Sequence, residues 1–166
     1  MFKSVDQVLN FAFTISESLI CKTADYAPAV CGTGERITPQ DLHAQSAFIF
    51  SSMSRLREDE YLLIHAQYCF NRPVKFAASK ALSESLVMPR LNGWRDVALT
   101  MTTRHFDSIA RERVSQREVA FEFDISRRQV GNAERLVAEI MAPIAARAEA
   151  ELYEHYVSTG LIIIEN

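Results

Sequence analysis

Glycine and proline are scarce in this chain, five of each in 166 residues. An all-β fold needs many tight turns and relies on these two residue types to make them, so their shortage argues against a strand-rich architecture. Long apolar runs are also missing. No stretch reaches the roughly 18 continuous apolar residues of a membrane-spanning helix. Residues 1–20 carry Lys3, Asp6 and Glu17 among their apolar positions, which does not read as a secretion signal. The three cysteines, Cys21, Cys31 and Cys69, are odd in number and irregular in spacing. They make no disulfide framework and suit a reduced, cytoplasmic setting. An excess of positive charge is absent too, since the formal net charge is −3. A protein that coats nucleic acid indiscriminately is usually basic, so any nucleic-acid binding here needs its cations gathered on one face.

The signatures of catalysis are missing as well. There is no phosphate-binding loop, no strand-turn-serine elbow, no His-Glu-x-x-His and no recognisable nuclease set of carboxylates, so no catalytic residue is assigned and an enzyme is not expected. His65 and Cys69 lie four apart on one expected helix, and Cys21, Cys31 and His43 could in principle complete a zinc site. No close Cys-x-x-Cys pair supports it. The sequence favours a buried thiol and a partly exposed imidazole, with neither metal nor cofactor.

What the chain does have is helical patterning. With 48% hydrophobic and 23% charged residues, it has enough apolar surface to offset the entropy of folding. Ser4 and Gln7 form a capping-box pattern ahead of Val5, Val8, Leu9, Ala12, Phe13 and Leu19, which predicts a helix over about 4–19. Residues 20–37, with Pro28, Gly32 and Gly34, read as a long loop. Thr38, Pro39 and Asp41 open a helix to about Leu56. Glu58-Asp59-Glu60 opens another to Phe70. After Pro73 a helix is expected over about 74–87, and after Asn92-Gly93 one over about 93–112, carrying Trp94, Val97, Met101, Phe106 and Ile109. The expected fold is an all-α, compact helical bundle: an N-terminal helical region over 1–112, then a helix pair with a long C-terminal helical arm over 113–166.

Residues 115–136 read SQREVAFEFDISRRQVGNAERL. Ser115 with Glu118 and Ser126 with Gln129 make two capping boxes eleven residues apart. Two helices this close must meet at a tight turn, at Phe123-Asp124-Ile125. Val119, Ala120 and Phe123 are expected to face inward from the first helix and Val130, Ala133 and Leu136 from the second, with Ile125 plugging the turn. Ala120 is the small residue that a crossing of about 90–120° requires at its closest approach. Asp124 stands where glycine is commonest and tolerates left-handed backbone angles better than most residues.

This segment resembles the helix-turn-helix of bacterial and phage transcription factors, through Ala120, Ile125-Ser126 and Val130. The resemblance implies that the start of the second helix enters the major groove of double-stranded DNA. Arg127, Arg128 and Asn132 are the expected base readers, since Arg can grip guanine and Asn adenine in bidentate fashion. Gly131 would let the helix approach closely. Ser126, Gln129 and Arg135 complete the candidate DNA-binding face, and Gln116 and Arg117 at the start of the first helix are expected to hold phosphate. Arg111 and Arg113 could add phosphate contacts.

A looser resemblance covers the whole chain. The run from Leu56 through Tyr68, the helix pair and an Ala/Glu-rich tail ending Gly160-Leu161-Ile162 are similar in layout to the phage antitermination Q-type regulators of late genes. It implies a transcription regulator that engages RNA polymerase, with Glu58, Asp59 and Glu60 as candidates for that contact. The simpler role for this triplet is helix-start electrostatics. The apolar stripe continues past Leu136 through Ile144, Leu152 and Tyr156, with Pro143 expected to kink the helix or start a new one. That tail either packs on the chain's own N-terminal helices or makes a homodimer. A non-catalytic assembly, packaging or protein-interaction module that uses the helix pair is the alternative function.

Overall fold

Capping chemistry sets most helix starts. The computed structural model describes residues 2–18 and 38–163. Among these there are eight α-helices and no β-strand. They are α1 (Val5–Ser18), α2 (Pro39–Ser52), α3 (Glu58–Tyr68), α4 (Arg72–Leu82), α5 (Arg95–Phe106), α6 (Ser108–Arg113), α7 (Gln116–Glu122) and α8 (Arg127–Ser158). The all-α expectation holds. The loop expected over 20–37, with Cys21 and Cys31, lies outside the described residues. No helix among the described residues is long and apolar enough to cross a membrane.

The chain forms two compact units, and their limits fall elsewhere than at residue 112: Met1–Arg57 with Ala148–Asn166, and Glu58–Arg147. The physical reason is α8, whose buried positions Val130, Ala133, Val137, Met141, Ile144, Ala148, Leu152 and Tyr156 recur every three or four residues along its whole length. A stripe that long contributes to both cores.

In the first unit the C-terminal end of α8 packs with the N-terminal helices, the first of the two fates expected for the tail. Ser52 Oγ and Tyr156 Oη are hydrogen-bonded at 3.0 Å, and burial pushes the Tyr156 phenol up from its ordinary pKa. Ser46 Oγ donates to the Ala12 carbonyl at 3.0 Å. The apolar terminus is docked: Phe2 and Ile162 form a parallel bridge, with Phe2 N–H donating to Leu161 O at 3.1 Å and Ile163 N–H to Phe2 O at 3.3 Å.

The second unit departs from the expected helices in three places. Pro73 does not precede α4 but sits in its first turn, behind the Asn71 cap, where a missing N–H costs nothing. Regular α-helix stops at Leu82 and continues as a π-helical turn over Ser83–Val87 and a 3-10 turn over Met88–Leu91. The helix expected over 93–112 is two: the Asp107 carboxylate accepts from Ile109 and Ala110 N–H, and so restarts the chain as α6. Of the two expectations for Pro143, a kink or a new helix, no new helix starts there: it lies inside α8. Its side is exposed, so water can reach the carbonyl left without a donor.

The acidic triplet at the start of α3 is engaged within this unit. Arg147 Nε donates to Glu60 at 3.1 Å and Nη2 to Asp59 at 3.2 Å, and Glu60 is buried.

Candidate nucleic-acid interface

Both capping boxes are made. The Ser115 backbone N–H donates to Glu118 Oε2 at 2.6 Å, and Glu118 N–H to Ser115 Oγ at 3.2 Å. These bonds from the Ser115 backbone and hydroxyl hold the Glu118 carboxyl below its ordinary pKa, so this cap persists at neutral pH and fades as pH falls through the acidic range. Ser126 N–H donates to Gln129 Oε1 at 2.8 Å, and Gln129 N–H to Ser126 Oγ at 3.2 Å.

Between the boxes the chain turns as the sequence implies. α7 closes with two backbone bonds, Ile125 N–H to Ala120 O at 2.9 Å and Asp124 N–H to Phe121 O at 3.4 Å. That is the bond pattern of a Schellman cap. It requires a left-handed residue, and Asp124 has φ 51°. Asp124→Gly is therefore expected to stabilise the protein by about 0.5–1 kcal/mol, and Asp124→Val to destabilise it by about 2 kcal/mol. Urea midpoints check both; an Asp124→Gly variant less stable than the parent would show that the carboxylate does more than tolerate the turn. Val119, Ala120, Val130 and Ala133 are buried as expected, while Phe123, Ile125 and Leu136 are half-buried.

The outward side of α8 is open. Arg127, Arg128, Gln129, Asn132 and Arg135 are exposed and Gly131 is half-exposed. Arg135 Nη2 donates to Asn132 Oδ1 at 2.8 Å, and Arg135 also pairs loosely with Glu139 at 3.9 Å. Ser126 and Gln129 are engaged in the cap, so their part is to start the helix. Arg111, Arg113 and Arg117 are exposed near the start of α7.

One buried ion pair, invisible in the linear pattern, arranges this surface. Glu134, the acidic residue among the arginines, turns inward. Arg104 of α5, with 6% of its side chain exposed, reaches Glu134 Oε1 through Nη2 at 3.0 Å and Nε at 3.3 Å. Its Nη1 donates to the Val114 carbonyl. Gln116 Nε2 donates to Glu134 Oε2 at 2.5 Å. The Gln116 amide expected to hold phosphate is thus directed at Glu134, because a half-buried carboxylate needs both oxygens satisfied. One clamp fixes α5, the start of α7 and the second turn of α8 together, and it removes a negative charge from the exposed face. The one sequence signal for it is a lone Glu spaced four after Val130 and one after Ala133, on the edge of the buried stripe.

Gly131 has no internal explanation. A Cβ placed there would meet nothing within 4 Å, so packing does not demand a glycine. Gly131→Ala should raise helix stability by about 0.5–1 kcal/mol and, if α8 meets a duplex as the sequence resemblance implies, weaken that binding, because the added methyl group would project from the approaching face. Melting curves and fluorescence anisotropy on one preparation check both signs. Alanine binding as tightly as glycine would remove Gly131 from the interface.

Trp94, expected on a buried helical stripe, is 43% exposed, and Phe121 of α7, which the pattern left off the inward face, is 90% exposed. Among the described residues no group of three or more metal-ligating side chains comes together. Cys69 is buried, and the His65 ring packs on Tyr61 at 4.4 Å. Compared with protein-family models, curated proteins and solved structures, the chain gives no match.

Proposed function

We propose that the chain binds double-stranded DNA through the first turns of α8 and acts as a sequence-specific transcription regulator. The observation that carries this reading is the sorting of charge along α8. Arg127, Arg128 and Arg135 stay exposed with Asn132, while Glu134 is drawn inward by Arg104. An acidic protein can hold polyanionic DNA only if its cations are concentrated and its local carboxylates are neutralised or turned away. Arg127, Arg128 and Asn132 read base edges, Arg135 flanks them, and Arg117 with Arg111 and Arg113 steadies the phosphate backbone. The finer role, a phage antitermination-like factor that engages RNA polymerase, comes from the resemblance of the sequence.

Selection of bound duplexes from a random pool, followed by titration of the winner against competitor DNA, tests the reading. A converged motif and a saturable complex are expected. A pool that never converges would overturn it.

Phe121 favours a second reading, an assembly or protein-interaction module. The Phe121 ring is 90% exposed, and beside it an open depression is lined by Arg113, Arg117 and Glu122, a place where an aromatic anchor could meet another protein. Phe121→Ser should leave stability within about 0.5 kcal/mol of the parent. If it abolishes a higher oligomer on a sizing column while DNA binding is absent from both proteins, the module reading replaces the regulator.

A further inference from the structure

A groove of about 350 Å³ runs along the flank of α8, bounded by Leu91 and Trp94 on one side and by Asn132, Arg135, Leu136 and Glu139 on the other. The backbone opposite α8 there is irregular throughout. A π-helical turn and a 3-10 turn lead into Asn92 at φ 53° and Gly93 at φ 79°, and Arg95 closes the segment onto Glu84 at 2.6 Å. Its product is Trp94 at the N-cap of α5, where its side chain makes no capping hydrogen bond. A polar residue would serve that position better, and a tryptophan needed for the core would not be 43% exposed. Local rules broken together in one place point to a function for the side chain they present.

We propose that this groove takes an unpaired nucleobase of a single DNA strand, stacked on the Trp94 indole; the inference rests on the reading of α8 as a DNA-binding helix. The chemistry of the walls selects the ligand. An exposed indole offers a π-face of the kind on which unpaired bases stack, and bases inside a duplex keep their faces covered. At the rim Arg135 donates and Glu139, which lies 3.9 Å from it, accepts, so the polar edge of a stacked base meets both kinds of partner. The arginines of the neighbouring face supply the attraction for the phosphates on either side.

Trp94 is the chain's one tryptophan, so its emission reports this site alone. Titrating the full chain with short single-stranded oligo-dT should quench that emission to saturation. Trp94→Ala should weaken oligo-dT binding, read by anisotropy of a labelled strand, by about tenfold, with affinity for the selected paired duplex held within about twofold. Trp94→Phe, which keeps a ring, should retain most of the affinity and guards against a folding defect. An unquenched indole, or an equal loss on single strand and duplex, would overturn the proposal. If the duplex complex still forms and still depends on Arg128, the α8 reading survives that failure. Quenching by oligo-dT without any duplex complex would instead sink the α8 reading and leave the groove standing.

Discussion

Replacing Arg104 with alanine is expected to cost about 3 kcal/mol of stability, the largest loss from any single exposed-to-buried polar contact described above. The guanidinium is buried and donates to Glu134 twice and to Val114 O once. Its removal leaves the carbonyl unsatisfied and the carboxylate with Gln116 as its remaining described donor. Breaking a buried pair from one side typically costs about 3–5 kcal/mol. The 23% exposure of Glu134 lets water relieve part of that penalty, which places the expectation at the lower end. For a protein of this size the loss corresponds to a fall of roughly 10 °C in Tm. A double-mutant cycle isolates the pair: Arg104→Met with Glu134→Met should recover much of what Arg104→Met alone loses, because two apolar side chains need no partners. Because the same clamp sets α7 against α8, Arg104→Ala should weaken DNA binding even at temperatures where it remains folded. An Arg104→Ala variant within about 0.5 kcal/mol of the parent would show that the clamp contributes little.

Arg128→Ala should have the opposite profile. The side chain is exposed, so stability should change by less than about 0.5 kcal/mol. Affinity for the selected duplex should fall by about 1–3 kcal/mol, roughly 5- to 150-fold, if the guanidinium grips a guanine edge. Specificity should relax at one base pair and not elsewhere. Arg117→Ala, as a phosphate contact, should weaken all sequences alike and lower the salt slope by about one. Competition titrations at two or three salt concentrations separate the patterns. Equal affinity of parent and Arg128→Ala would remove α8 as the reading helix.

The two variants together separate scaffold from surface. Arg104 acts on where α8 sits, and Arg128 on what α8 meets. Gly131→Ala adds a third signature, more stable and less able to bind, which a purely structural role for α8 would not produce.

Local interactions were legible in the sequence. The Ser115–Glu118 and Ser126–Gln129 boxes, the turn at Asp124 and the buried stripe from Val130 to Tyr156 each depend on residues within a few positions of one another. Their pattern survives in one dimension. Where local signals compete, the stronger cap decided: Pro73 joined a first turn behind the Asn71 cap, and Asp107 capped a new helix inside an apolar stripe. The inward turn of Glu134 could not be read locally, because its partner Arg104 lies thirty residues away and nothing in either neighbourhood predicts the meeting. The exposure of Trp94 was hidden for a related reason. An aromatic residue at helical spacing is ordinarily core, and only the packing of distant elements decides which end of an irregular turn is left uncovered.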